Sequence, residues 1–75
     1  MHKRLNLYRL GNKLRDMREK AEMTQKQAAE VNGVSEVSIN SWEHGKKEPR
    51  LSHLVSLRDC YDARTGSKTT IDDLL

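Results

Sequence analysis

Thr24-Gln25-Lys26-Gln27-Ala28-Ala29-Glu30-Val31-Asn32-Gly33-Val34-Ser35-Glu36-Val37-Ser38-Ile39-Asn40-Ser41-Trp42-Glu43-His44-Gly45 is the stretch that decides the architecture. Its opening fits a capping box: the Thr24 hydroxyl accepts from the amide three residues on, while Gln27 reaches back to Thr24. A helix therefore starts at Gln25. Asn32-Gly33 stops it after about eight residues, because glycine takes the left-handed conformation that closes helices. Ser35 offers a second N-cap, with Glu36 near the positive end of the next helix. That helix runs to about His44, and Gly45 ends it.

Upstream, Leu10, Leu14, Met17 and Ala21 recur at helical spacing, which predicts a helix over Leu7–Lys20 with Gly11 blurring its start. Its other face carries Lys13, Arg15, Arg18 and Lys20 beside Asp16 and Glu19. Downstream, Lys46-Lys47-Glu48-Pro49 is a polar linker, and Pro49 blocks any helix across it. Leu51, Leu54, Val55, Leu57 and Tyr61 give a fourth helix, Arg64–Thr69 reads as a loop around Gly66, and Thr70-Ile71-Asp72-Asp73 opens a short terminal helix. The fold class is all-α, a compact bundle of about five short helices. Residues 1–6 read as a flexible arm, 7–75 as a single domain, and 24–44 as its helix-turn-helix unit.

The chain has 75 residues, a size at which folding buries only about 60% of the unfolded surface. Its core must be economical. There is no Phe, and the aromatics are Tyr8, Trp42 and Tyr61. The net charge is +3, but residues 1–26 hold eight Lys and Arg against three acids. Such a concentration attracts a polyanion or an anionic membrane. A membrane-surface role is disfavoured because the core needs the apolar face of the first helix, and no stretch approaches the roughly 20 apolar residues of a membrane span. Cys60 is the sole cysteine, expected as a buried free thiol in a reducing interior, and Met1-His2-Lys3-Arg4-Leu5-Asn6 lacks the apolar segment of a signal peptide, so the expected location is the cytoplasm. His2, His44, His53 and Cys60 have no metal-ligand spacing, and no nucleophile triad, phosphate loop or carboxylate pair stands out. We expect neither an enzyme nor a cofactor.

Two short helices around a four-residue turn suit one use: the first braces on a phosphate backbone while the second projects into the major groove. Gln25, Ala29, Gly33, Ile39 and Trp42, followed by Trp42-Glu43-His44-Gly45-Lys46 and Pro49, resemble the phage-repressor or Cro-like (XRE-type) helix-turn-helix family, with its lambda-repressor-like fold. The resemblance spans about Gly11 to Tyr61. It implies a prokaryotic, phage or mobile-element regulator binding double-stranded DNA. Ser35–His44 would be the recognition helix, and the protein a homodimer joined through its C-terminal region. Repression is expected over activation, since so short a chain displays no second domain.

Carried over position by position, the pattern puts Glu36, Val37 and Ser41 on bases, with Asn40 also exposed. Glu36 can accept from a cytosine amino group, Val37 can pack on a thymine methyl, and Asn40 and Ser41 can hydrogen-bond to base or phosphate. Gln25, Lys26, Ser35, Lys46, Lys47 and Arg50 are the phosphate candidates. Arg18 and Glu43 would form a structural ion pair, while Ala29, Gly33, Ile39 and Trp42 form the core of the unit. Alternatives stand beside several of these. Gln25 is otherwise a polar first-turn residue, Glu36 only a cap that disfavours wrong sequences, and Lys46 and Lys47 solubilising charges.

The pattern also has departures. Ala28 and Asn32 stand where the family more often has larger apolar residues, Val31 either compensates or stays exposed, and the connection from Tyr61 to Ile71 is long. Ile71, Leu74 and Leu75 are either dimer contacts or a local cap on the core. The rival function is a protein-binding module whose partner is a toxin, an antirepressor or a further domain.

Overall fold

The computed structural model describes residues 5–75, in which five helices follow one another: α1 (Leu7–Lys20), α2 (Gln25–Asn32), α3 (Glu36–Glu43), α4 (Leu51–Thr65) and α5 (Ile71–Leu74). Of the expected arm, residues 1–4 lie outside the described residues. Leu5 packs against the core, and the Asn6 side chain caps α1 by accepting from the Arg9 amide at 3.1 Å.

Each helix contributes an apolar stripe to one core. Leu10 and Leu14 enter from α1, Ala28 and Ala29 from α2, Ile39 and Trp42 from α3, and Leu54, Leu57 and Tyr61 from α4. Burying a leucine or isoleucine of this kind contributes about 1.5–3 kcal/mol. Because α2 offers only alanines, α3 and α4 can approach it closely, and both pack on α2 as well as on α1 or its neighbours. Val31 stays outside, 64% exposed. Asn32 takes a polar role instead: its Nδ2 donates to the Ala28 carbonyl at 2.7 Å, and its Oδ1 accepts from Ser56 of α4 at 2.6 Å.

Gly11 sits at the tightest crossing. A Cβ there would stand 2.5 Å from the Trp42 carbonyl oxygen and 2.6 Å from that of Glu43, both backbone atoms of α3. Only a residue without a side chain lets α1 lie this close to the last turn of α3.

Two expectations for the C-terminal third need correction. The fourth helix runs past Tyr61 to Thr65, with the Gly66 amide still donating to the Asp62 carbonyl at 2.8 Å. Apolar periodicity marks only the buried face, so a polar final turn leaves no trace in it. The loop is correspondingly short, and Asp62 fastens it by accepting from the Thr69 amide at 2.6 Å and hydroxyl at 2.9 Å. Cys60 is half-buried rather than buried, with its Sγ 3.8 Å from Met23 Sδ.

The terminal helix folds back on α1. Thr70 and Asp73 form its capping box, which holds the Asp73 carboxyl below its usual range. Lys13 Nζ donates to the Asp73 carbonyl, and Leu74 is buried in the core. Of the two readings of the terminus, Leu74 takes the cap role, while Leu75 stays half exposed.

Two outcomes test this packing. Gly11→Ala should gain about 1 kcal/mol of helix propensity yet lose more to overpacking, typically about 1–3 kcal/mol, so thermal denaturation should show a lower Tm; an unchanged or higher Tm would contradict the close crossing. Burial, reinforced by the Glu43 charge, raises the Tyr61 phenol above its ordinary value of 10.0. A raised folded-state value means the neutral phenol's contribution is complete below the unfolded pKa and is lost as pH climbs through the folded one. Tyr61→Phe should therefore lessen the fall in Tm between about pH 8 and about pH 11, and identical falls would refute the assignment.

Candidate nucleic-acid interface

Glu43 closes α3 with its side chain only 2% exposed, and a buried carboxylate is costly unless it is paired. Arg18 supplies the pair from α1: Nε donates to Oε2 at 2.7 Å and Nη2 to Oε1 at 2.9 Å, while Nη1 donates to the Met23 carbonyl at 2.9 Å. The bonds to Glu43 outweigh burial and raise the Arg18 pKa. A third donor comes from α2, where Gln25 Nε2 reaches Glu43 Oε1 at 3.1 Å. Three helices thus meet on one carboxylate, and the orientation of α3 follows from that meeting.

The turn between α2 and α3 sets the other end. Gly33 has φ 66° with no atom near the place a Cβ would take, so backbone conformation alone explains the glycine. Ser35 then caps α3, accepting from the Ser38 amide at 3.0 Å and donating to the Ser38 hydroxyl at 2.9 Å. The Ser35 side chain is exposed, and both bonds engage it with Ser38.

With Ile39 and Trp42 buried, the opposite face of α3 is free. Val37 is 75% exposed and Glu36 is exposed without an ion-pair partner among the described residues. Asn40, expected exposed, is half-buried, and its Nδ2 donates to Gln25 Oε1 at 3.4 Å. Ser41 is half-buried too, its carbonyl accepting from the Lys46 amide at 2.9 Å as the chain leaves the helix. Gln25, Glu36, Val37 and Asn40 line one open hollow of about 270 Å³. Ala29 of α2 is buried.

Lys26, Lys46, Lys47 and Arg50 are all exposed, whereas Gln25 is half-buried. In the chain they lie before and after α3: Lys26 is the second residue of α2, and the other three follow the exit from α3. Tyr8 is not among the site residues that the sequence points to. It is 73% exposed, and a Cβ on Gly45 would lie 3.1 Å from its ring, which places an amphipathic side chain beside the basic loop after α3. Its absence from the Leu10-Leu14 pattern was the available signal. Among the described residues no group of three or more His, Cys, Asp or Glu is placed to hold a metal ion, and no helix is long and apolar enough to cross a membrane.

Arg18→Met strands the Glu43 charge in the interior, and breaking a buried pair in this way costs about 3–5 kcal/mol. Arg18→Met combined with Glu43→Leu should recover most of that loss in urea denaturation. A double variant no more stable than the single one would show that the pair is not what the helices depend on.

A family model described as Helix-turn-helix matches residues 14–71. No curated protein and no solved structure gives a significant match. The matched span runs from the middle of α1 into α5 and contains the whole α2–turn–α3 unit. The chain belongs to the XRE/Cro-type helix-turn-helix family of DNA-binding regulators.

Proposed function

We propose that this domain is a sequence-specific repressor that binds a two-fold related operator as a homodimer, with α3 in the major groove. The observation that carries the reading is the free face of α3. Glu36 and Val37 are exposed at its N-terminal end, where a recognition helix meets base edges, and neither side chain has a polar partner among the described residues. Asn40 and Ser41 continue that face, so Glu36, Val37, Asn40 and Ser41 are the base-contacting residues of this proposal.

The backbone contacts fall to Gln25, Lys26, Lys46, Lys47 and Arg50 and to the amides at Ser35 and the start of α3. Lys26 in α2 and Lys46, Lys47 and Arg50 after α3 carry exposed positive charge before and after a helix that has none of its own. Counterion release at those charges supplies affinity, and the short side chains of α3 supply choice. Repression is the mode that occupancy alone achieves, by denying the site to another protein. Leu75, which follows α5 and is exposed beside the buried Leu74, is an apolar group available to a second copy.

Selection of duplexes from a random pool tests the proposal. Two similar half-sites, their centres about 34–36 Å apart along the duplex, are expected from a dimer with one α3 in each of two successive major grooves. Affinity should fall steeply between low and high salt. Val37→Ala and Glu36→Gln should each alter the preferred base at a half-site position while leaving the salt slope unchanged. An enriched site that neither substitution alters would remove these residues from the base contacts.

A further inference from the structure

We infer that the Arg18–Glu43 ion pair fixes the direction of an amide chain through Gln25 to Asn40, so that Asn40 offers its oxygen to the groove and selects bases bearing an exocyclic amino group. This rests on the DNA reading above and specifies what the hollow beside α3 recognises.

Each step of the chain favours one direction, set firmly at Glu43 and less tightly at the longer bond to Asn40. Both Glu43 oxygens receive guanidinium N–H groups, from Arg18 Nη2 at 2.9 Å and Nε at 2.7 Å, so the group is an ionised carboxylate and can only accept. The end of Gln25 that meets Oε1 must then be the amide nitrogen, at 3.1 Å. That turns Gln25 Oε1 outward. A carbonyl oxygen needs a donor, and the group it meets is Asn40 Nδ2 at 3.4 Å. With one of its two Nδ2 hydrogens given to Gln25, Asn40 keeps Oδ1 without a partner among the described residues. An isolated asparagine on a helix surface can turn its amide over and present either end; this one is held by a charge buried in the core.

The rest of the hollow has the same polarity. Glu36 lies one turn before Asn40 on α3 and presents an exposed carboxylate, while Val37 contributes methyl groups. Toward a ligand, Glu36 offers acceptors alone, and Asn40 offers Oδ1 with its second Nδ2 hydrogen beside it. In the major groove adenine N6 and cytosine N4 are donors, guanine O6 and thymine O4 are acceptors, and the thymine methyl is an apolar contact. Adenine N6 occupies the same place on the purine edge as guanine O6, and cytosine N4 the same place as thymine O4. An oxygen fixed at that place accepts from the first of each pair and repels the second. The hollow therefore suits a half-site with an amino-bearing base opposite Asn40 and a thymine methyl within reach of Val37.

The chain also gives Gln25 a role separable from any phosphate contact. A phosphate contact raises affinity for every duplex equally. A positioning residue acting through Asn40 changes the ratio between two duplexes.

The experiment uses duplexes selected by the intact chain. Asn40→Ala first identifies the base pair that Asn40 reads, as the position whose preference it abolishes. At that position the selected base should be adenine or cytosine. Exchange for guanine or thymine respectively should cost about tenfold in affinity, as should removal of the amino group alone by purine for adenine or 2-pyrimidinone for cytosine. In Gln25→Met, whose side chain keeps the length but cannot hold Asn40, the adenine-to-guanine or cytosine-to-thymine ratio should collapse to within about twofold, whatever happens to overall affinity. Guanine or thymine at the Asn40 position overturns the inference, as does a ratio unchanged in Gln25→Met or an Asn40→Ala profile identical to the parent. These results leave the DNA reading intact. Failure to enrich any duplex overturns both.

Discussion

The carboxylate of Glu43 is the constraint around which this small domain is arranged. Buried and ionised, it demands donors from outside its own helix, and it finds them on α1 in Arg18 and on α2 in Gln25. Leaving such a charge unpaired would cost several kcal/mol, of the same order as the entire stability of many domains, about 5–15 kcal/mol. Rotation of α3 about its axis would break these bonds, so the face opposite Ile39 and Trp42 is held toward solvent. The register of the reading face is thus a consequence of bonds made where α1, α2 and α3 meet.

Small side chains make that arrangement reachable. Gly11 lets α1 approach the backbone of α3, and Ala28 and Ala29 let α2 come close to its neighbours. A chain of this length cannot add bulk to compensate for a loose crossing, so it shortens the crossings instead. Where α2 runs out of apolar residues, Asn32 binds Ser56 and joins α2 to α4 through two satisfied hydrogen bonds. Buried polar groups paired in this way cost little, and none of the buried side-chain nitrogen or oxygen atoms among the described residues lacks a partner.

The basic excess at the start of the chain proves to be shared between structure and surface. Arg18 is an internal ligand of Glu43, Lys13 fastens α5, and Arg15 pairs with Glu19 one turn along α1 at 3.5 Å. The charges flanking α3 come from Lys26 and from the loop after the helix. Net charge counted along the chain therefore says that a polyanion is welcome without saying where it sits, because a sequence segment and a molecular face are different sets of residues.

Local rules made the helix-turn-helix legible. Thr24, Gly33 and Ser35 act on their own backbone within three or four residues, so the ends of α2 and the start of α3 followed from residue chemistry alone, as did the apolar stripes of α1 and α3. The last turn of α4 escaped the same reading because exposed polar residues carry no periodic signal, and the fate of Leu74 escaped it because a two-leucine terminus packs inward or outward according to what lies beside it. Tertiary structure alone decided the half-burial of Asn40, the bond between Asn32 and Ser56, and the closeness of Gly11 to α3. Each of these joins residues at least 15 positions apart in the chain. No local propensity encodes such a meeting; it exists only once the core has brought the helices together.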